Sequence, residues 1–182
     1  MAKARTGSFY LTETIAVPNG TPANSITQGS LDLGAYVNVP TGQAIAIESV
    51  DFIIQVGANY TKRIAGAVFA DSAFNTQLSD LNPGGKLLRA DNQSLVASGA
   101  INIDFTNNLT SEGTDFFPDN FGTAALSEAF MVVNDTLYLT FSNGDSALTD
   151  DVFVTARVRA RVVKLAQEDW MAIAIQSTAS DN

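Results

Sequence analysis

Residues Val152 to Val163, VFVTARVRARVV, alternate without interruption. Val152, Val154, Ala156, Val158, Ala160 and Val162 share one parity, and Phe153, Thr155, Arg157, Arg159, Arg161 and Val163 share the other. A strand sends successive side chains to opposite faces, so the pattern predicts a long strand with one apolar face and one stripe of arginines. The same period recurs elsewhere. Ser8 to Val17 sets Phe9, Leu11, Ile15 and Val17 against Tyr10, Thr12 and Thr14, before Pro18, Asn19, Gly20 and Pro22 break it. Ala44 to Val56 carries Val50, Phe52, Ile54 and Val56 on one parity, but Ile45 and Ile47 on the other. That switch predicts a bulge or a change of sheet near Glu48.

Shorter candidates fill the rest. Ser30 to Leu33, Ile64 to Ala70, Lys86 to Arg89, Leu95 to Ala97 and Ile101 to Phe105 read as strands. Asp71 to Leu81 reads as one or two helical turns, ended by Asn82-Pro83-Gly84-Gly85. Thr106 to Gly122 reads as a long loop. Ala129 to Val133 and Thr136 to Ser142 flank Asn134-Asp135 in the manner of a hairpin. Trp170 to Gln176 is rich in helix formers, yet Met171, Ile173 and Ile175 alternate, and the alternation favours a final strand. The sum is an all-β chain of about eight to ten antiparallel strands with no βαβ rhythm. Its long mid-chain connections suit a single jelly-roll barrel or sandwich better than a meander. We expect one domain over residues 1–182, with a short N-terminal arm (1–7) and a loose polar tail (177–182).

Composition narrows the chemistry. The chain has no histidine and no cysteine. Ser-His-Asp and Cys-His catalysis, disulfides, and His- or Cys-ligated metals are therefore excluded, and only oxygen-ligand metals remain. Neither a GxGxxG nor a Walker A sequence occurs, and Gly84-Gly85-Lys86 reads as a turn. Sequons begin at Asn59, Asn92, Asn108 and Asn134; with no apolar signal-like run at the N-terminus, we read them as chance. No apolar run approaches the roughly 20 residues that span a bilayer.

Two acidic groups invite a functional reading. Glu112, Asp115 and Asp119 lie in one segment, and Asp145, Asp150 and Asp151 in another. Such clusters could hold Ca²⁺ or act as the acid and base of a glycosidase. Neither matches an EF-hand loop, and solvated acidic loops are the simpler reading. We therefore assign no catalytic residue, no cofactor and no metal.

Charge returns attention to the stripe. The chain carries a formal charge of −9 and six arginines, of which Arg157, Arg159 and Arg161 are half. An acidic balance keeps the chain soluble and argues against a nucleic-acid binder. Three unpaired charges in a core would be prohibitive, so the stripe faces water or meets acids. It is either an ordinary solvent face paired to neighbouring strands, or a contact surface for another copy or an anionic lipid surface. Lys3 and Arg5 add a small basic arm that either frays or lies on a neighbour.

These features resemble the small single jelly-roll major capsid proteins of tailless, membrane-containing icosahedral viruses, the sphaerolipovirus-like group. The residues that carry the resemblance are LDLGAYVNVPTGQAIAIESVDFIIQV, Leu31 to Val56, and VTARVRARVVKLAQEDWMAIAIQ, Val154 to Gln176. The likeness covers most of the chain as a pattern, without a diagnostic motif. It implies a virion protein, made in the host cytoplasm, that assembles with its own copies, with a second capsid protein and over an internal membrane. It brings no catalytic or ligand residues with it. A β-sandwich binding module for carbohydrate, or a virion spike, is the alternative; Tyr36, Tyr60, Phe116 and Phe117 could serve it. A hydrolase working through the two acidic segments ranks third.

Overall fold

The computed structural model describes residues 2–112 and 129–179. Its strands run in the order β1 (Lys3–Ala4), β2 (Phe9–Val17), β3 (Ile26–Asp32), β4 (Gln43–Val56), β5 (Ser72–Ser79), β6 (Leu95–Asp104), β7 (Leu109–Glu112), β8 (Phe130–Val132), β9 (Thr136–Ser142) and β10 (Val152–Lys164). One helix, α1 (Gln167–Ala179), follows. The first sheet has the order β1-β10-β4-β8, with β2 also paired to β10; the second has the order β3-β9-β5-β6-β7. All of these strand pairings are antiparallel. From β2 to β5 and again from β7 to β10 each strand crosses to the other sheet, so β2-β10-β4-β8 faces β3-β9-β5-β6. That path is a jelly roll, an all-β sandwich whose two four-strand layers are each extended by one short strand, β1 and β7.

The inner faces close on a dry core. Val152, Val154, Ala156, Val158, Ala160 and Val162 of β10 are all buried in it, as the alternation predicts. Phe74 of β5 and Phe141 of β9 meet edge to face with centroids 5.2 Å apart. Each such buried side chain contributes about 1.5–3 kcal/mol relative to exposure.

The parity break near Glu48 is a β-bulge. The register of β4 on β10 shifts between Arg159 and Ala160: Ser49 opposes Arg159, Ile47 opposes Ala160, and Glu48 is the extra residue. Ile47 and Val50 therefore both face the core, although three residues apart.

Several expectations need correction. Ser72 to Ser79 is a strand, not helical turns. Phe74 and Leu78 fit either period; the residue that decides is Thr76, buried between them, with its hydroxyl donating to Gly99 O at 3.1 Å. Ile64–Ala67 is a 3₁₀ turn, not a strand, and it tucks Ala65 and Ala67 into the core. Among the described residues Lys86 to Arg89 pairs with no strand. Instead the Gln77 amide stands in for a neighbouring strand, accepting from Leu88 N at 2.7 Å and donating to Leu88 O at 2.9 Å. Leu95 to Asp104 is one strand where two were expected. β7 lies within the expected Thr106–Gly122 loop, whose later part falls outside the described residues. β8 and β9 do not form a hairpin: β8 pairs with β4 and β9 with β3 and β5, so Asn134-Asp135 carries the chain between sheets. Leu33 N fixes that crossing by donating to Asp135 O at 2.7 Å.

The terminal segment is helix α1, not a strand. At the end of β10 both ladder edges are already taken, by β1 and β4. As a helix the segment places Trp170, Ile173 and Ala174, at helical spacing, on a second small cluster of Ala44, Ala46, Val133, Val163 and Leu165. Glu168 and Asp169 fall in its first turn, where the helix dipole favours acids. The last residue of the apparent alternation, Ile175, is exposed, as is Met171. Among the described residues no helix is long and apolar enough to cross a membrane.

Candidate assembly face

The outer face of the β2-β10-β4-β8 sheet divides into three parts. Helix α1 covers the end at Val163, so the apolar end of the stripe is buried rather than presented. Next comes a charged centre. The bulge turns Glu48 onto this face, where only 1 % of it is exposed. Arg159 Nε lies 3.1 Å from Glu48 Oε2. Arg161 reaches Glu48 Oε1 through both Nε and Nη2. Ser8 Oγ donates to the same carboxylate at 2.9 and 3.0 Å. A buried carboxylate held by two guanidinium groups and a hydroxyl meets the condition under which a buried charge is tolerated.

Arg157 sits differently. It is exposed, and its guanidinium lies 4.3 Å from the centroid of the Tyr10 ring, a cation–π contact. Asp51 and Thr12 are its cross-strand neighbours. Beyond it the face is open, with Ile53 exposed and Thr14 and Thr155 hydroxyls 2.8 Å apart. Phe153 meets Tyr60 edge to face at 5.0 Å. The three arginines therefore share a face, but two are engaged within the chain and one is presented outward. Sequence reasoning did not find Glu48 as their counter-ion, although the parity break at that residue was the available signal.

The basic arm lies on the chain's own sheet. Lys3 opposes Lys164 in the β1–β10 ladder. Arg5 N donates to Val162 O at 2.9 Å, and Val162 N donates to Thr6 Oγ1 at 3.0 Å. Arg5 and Lys164 then flank a groove of about 800 Å³ whose walls include Val39, Pro40, Trp170 and Met171. Gly42 shapes this corner: it adopts φ +68°, and a Cβ there would stand 2.7 Å from Leu165 O.

The opposite end of the sandwich carries exposed apolar side chains. Phe69, Phe105 and Leu109 are exposed there, and Phe105 N donates to Asp71 Oδ1 at 2.9 Å. The acidic segment at this end is used for structure. Asp150 pairs with Lys62 at 2.7 Å, and Asp151 Oδ1 accepts from Asn19 N at 2.8 Å. Asp115, Asp119, Phe116 and Phe117 lie outside the described residues. Tyr36 is half-buried against Phe9, 5.3 Å between centroids. Among the described residues no group of three or more acids could hold a metal ion.

No family model and no curated protein sequence matches this chain. Solved structures similar to it include viral capsid proteins. VP1 of Trichodysplasia spinulosa-associated polyomavirus, in complex with 3'-sialyllactose, is 12 % identical over 90 % of this chain and 98 % of that one, with a TM-score of 0.45. Merkel cell polyomavirus VP1, in complex with disialyllactose, is 12 % identical over 89 % and 98 %, with a TM-score of 0.45. Mud crab dicistrovirus is 12 % identical over 88 % and 70 %, with a TM-score of 0.39. None belongs to the sphaerolipovirus-like group. The jelly-roll assignment rests on the strand order of this chain and borrows nothing from these likenesses.

Proposed function

We propose that this chain is a structural virion protein, a capsid subunit that self-assembles into an icosahedral shell. The observation that carries the reading is the strand order, β2-β10-β4-β8 over β3-β9-β5-β6, the jelly roll that viral capsid domains use. Lectin domains and cupins share that architecture, so fold alone does not choose among them. The surface adds support. Large apolar side chains are left exposed at both ends: Phe69, Phe105 and Leu109 at one, Val39, Met171 and Ile175 at the other. Such patches suit burial between copies. The chain has no histidine or cysteine, so Ser-His-Asp and Cys-His chemistry are closed to it. We assign it no catalytic role.

The finer reading is a coat subunit of the sphaerolipovirus-like type, made in the host cytoplasm and located in the virion. Its partners would be its own copies, a second capsid protein and the internal viral membrane. The corner formed by Lys3, Arg5 and Lys164, beside exposed Val39 and Met171, suits an anionic lipid surface or a neighbour's acids. Arg157 is the member of the arginine stripe placed to meet another copy.

Native mass by light scattering at low and high salt, with electron micrographs of any large fraction, tests the proposal. Rings, sheets or shells are expected, and charge-mediated contacts should weaken with salt, because exposed charges are screened over about 8 Å at physiological ionic strength. A monomer at every salt, alone and with candidate coat partners, overturns it. The second reading, a glycan-binding module, is favoured by the exposed Tyr60, Phe69 and Phe105 at one end. Its test is saturable binding of the monomer on a glycan array, lost on Tyr60→Ala.

A further inference from the structure

Asp80 follows β5 and sits where the β5–β6 connection, β8 and α1 converge. Only 3 % of it is exposed. Its backbone N–H donates to Ser94 O at 3.0 Å, and the Asn134 side-chain amide donates to its carbonyl at 3.0 Å. Those bonds hold the backbone. The carboxylate is poorly served: Asn134 Nδ2 is 3.4 Å from Oδ2, and Oδ1 has no hydrogen-bond donor among the described residues. Fully buried carboxylate oxygens are almost always paired.

The carboxylate borders a cleft of about 230 Å³, lined also by Gln93, Phe130, Met131, Ile173 and Gln176. We propose that this cleft is a binding site for an ammonium or guanidinium group carried on a short apolar stem. A divalent cation needs six or more oxygen ligands or a near-ideal octahedron, and the cleft offers one carboxylate and two amides. A cationic head on a hydrocarbon stem fits what is present: Asp80 Oδ1 accepts a charge-assisted hydrogen bond, and Phe130, Met131 and Ile173 cover the stem. The amides of Gln93 and Gln176 supply further acceptors. The volume lies below the roughly 300 to 1,000 Å³ of drug-sized pockets, which selects a ligand about the size of a lysine side chain. Burial pushes the Asp80 carboxyl up to about 6, outweighing the bonds from its own backbone and Asn134, as expected where no cation offsets desolvation.

Two sources could supply the group: a free alkylamine, or a lysine or arginine of a second copy. The second source rests on the coat proposal; the first does not. The probe is n-butylammonium chloride, followed through the Asn134 side-chain amide resonances. Saturable shifts are expected with the intact protein, and binding about tenfold or more weaker in Asp80→Asn. Sodium chloride at equal ionic strength and n-butanol, which shares the stem but not the charge, should leave the resonances in place. Gln93→Lys sets an ammonium at the mouth of the cleft. It should raise Tm and cancel the butylammonium response. Equal shifts in Asp80→Asn, equal shifts with n-butanol, or an undiminished response in Gln93→Lys would each overturn the site. Light scattering then separates the sources. If a neighbour supplies the cation, saturating butylammonium and Asp80→Asn both lower the native mass; if a free amine does, neither changes it.

Discussion

Glu48 and Asp80 are two buried carboxylates treated in opposite ways. Each is at most 3 % exposed; Glu48 lies at a bulge within β4, and Asp80 lies just past the end of β5. Glu48 is the extra residue of a bulge, and the alternation of β10 sets Arg159 and Arg161 beside it. Asp80 begins a loop and faces an amide, an apolar wall and no cation among the described residues. The contrast separates a charge satisfied within the chain from one that is not. A buried charge adds little when its partners are in place, and costs several kcal/mol when they are not. The arginine stripe is thus partly an internal device that holds the bulge. The unmet carboxylate is the place to look for an external partner.

The largest effect should come from breaking the satisfied centre. Glu48→Ala leaves two guanidinium groups crowded on one face without their carboxylate, and should destabilise the fold by about 3–5 kcal/mol, read from urea denaturation. A change below about 1 kcal/mol would erase the distinction between the two sites. The same logic limits a broader variant. Serine at Arg157, Arg159 and Arg161 together strands Glu48 without a cation, so it perturbs folding and assembly at once.

The second effect has the opposite sign. Asp80→Asn should stabilise the chain by about 1–2 kcal/mol near pH 7.5, a figure reduced for the solvent that the cleft admits. The Asp80 carboxyl is raised to about 6 in the folded chain from 3.8, so between those values the folded state binds the proton more readily. Stability of the unsubstituted protein should therefore fall as pH rises from about 4 to about 6, and the advantage of Asp80→Asn should appear over that window. Thermal midpoints of the two proteins at pH 4.5 and 7.5 check it. A constant difference across the window would mean that Asp80 is already paired.

How much of this was legible follows the same divide. Alternation gave β10, β2 and the long β4, and the misplaced parity of Ile45 and Ile47 marked the bulge at Glu48. Alternation along a strand is set by the local chain, so it survives in the sequence. The places where reading failed depended on distant partners. Trp170 to Gln176 alternates, yet the ladder positions it would need are filled by β1 and β4. Phe74 and Leu78 fit two periods, and Thr76 hid the strand by placing a hydroxyl in the core. The turn chemistry of Asn134-Asp135 was real, but it joins two sheets. Asp80 left no trace, because its burial arises where a loop, β8 and α1 meet. Of the three arginines, the sequence placed all on one face but could not say that Arg157 alone looks outward.

The third effect probes how Glu48 shares its partners. Ser8→Ala removes a donor that lies within 3.0 Å of both Glu48 oxygens. The two arginines remain, so the loss should be about 1 kcal/mol, the usual contribution of one hydrogen bond. In the Glu48→Ala background the same change should add almost nothing, because the acceptor is gone. A double-mutant cycle by urea denaturation measures the difference. Full additivity would show that Ser8 acts on the chain entry rather than on the carboxylate.

The smallest effect on stability should come from the arginine that neither centre uses. Arg157 is exposed and rests on Tyr10, a contact worth about 0.5–1 kcal/mol at such sites. Arg157→Ser should therefore lower stability by no more than that and leave the β signal in circular dichroism unchanged. Its value lies in what it isolates. The substitution keeps the Arg159–Glu48–Arg161 centre intact, so a loss of assembled mass cannot be assigned to the bulge. Lost assembly with retained fold would put an inter-copy contact on the open part of this face. Unchanged assembly would move the contact to the exposed apolar ends, and would leave the stripe with a single role, the internal one that Glu48 defines.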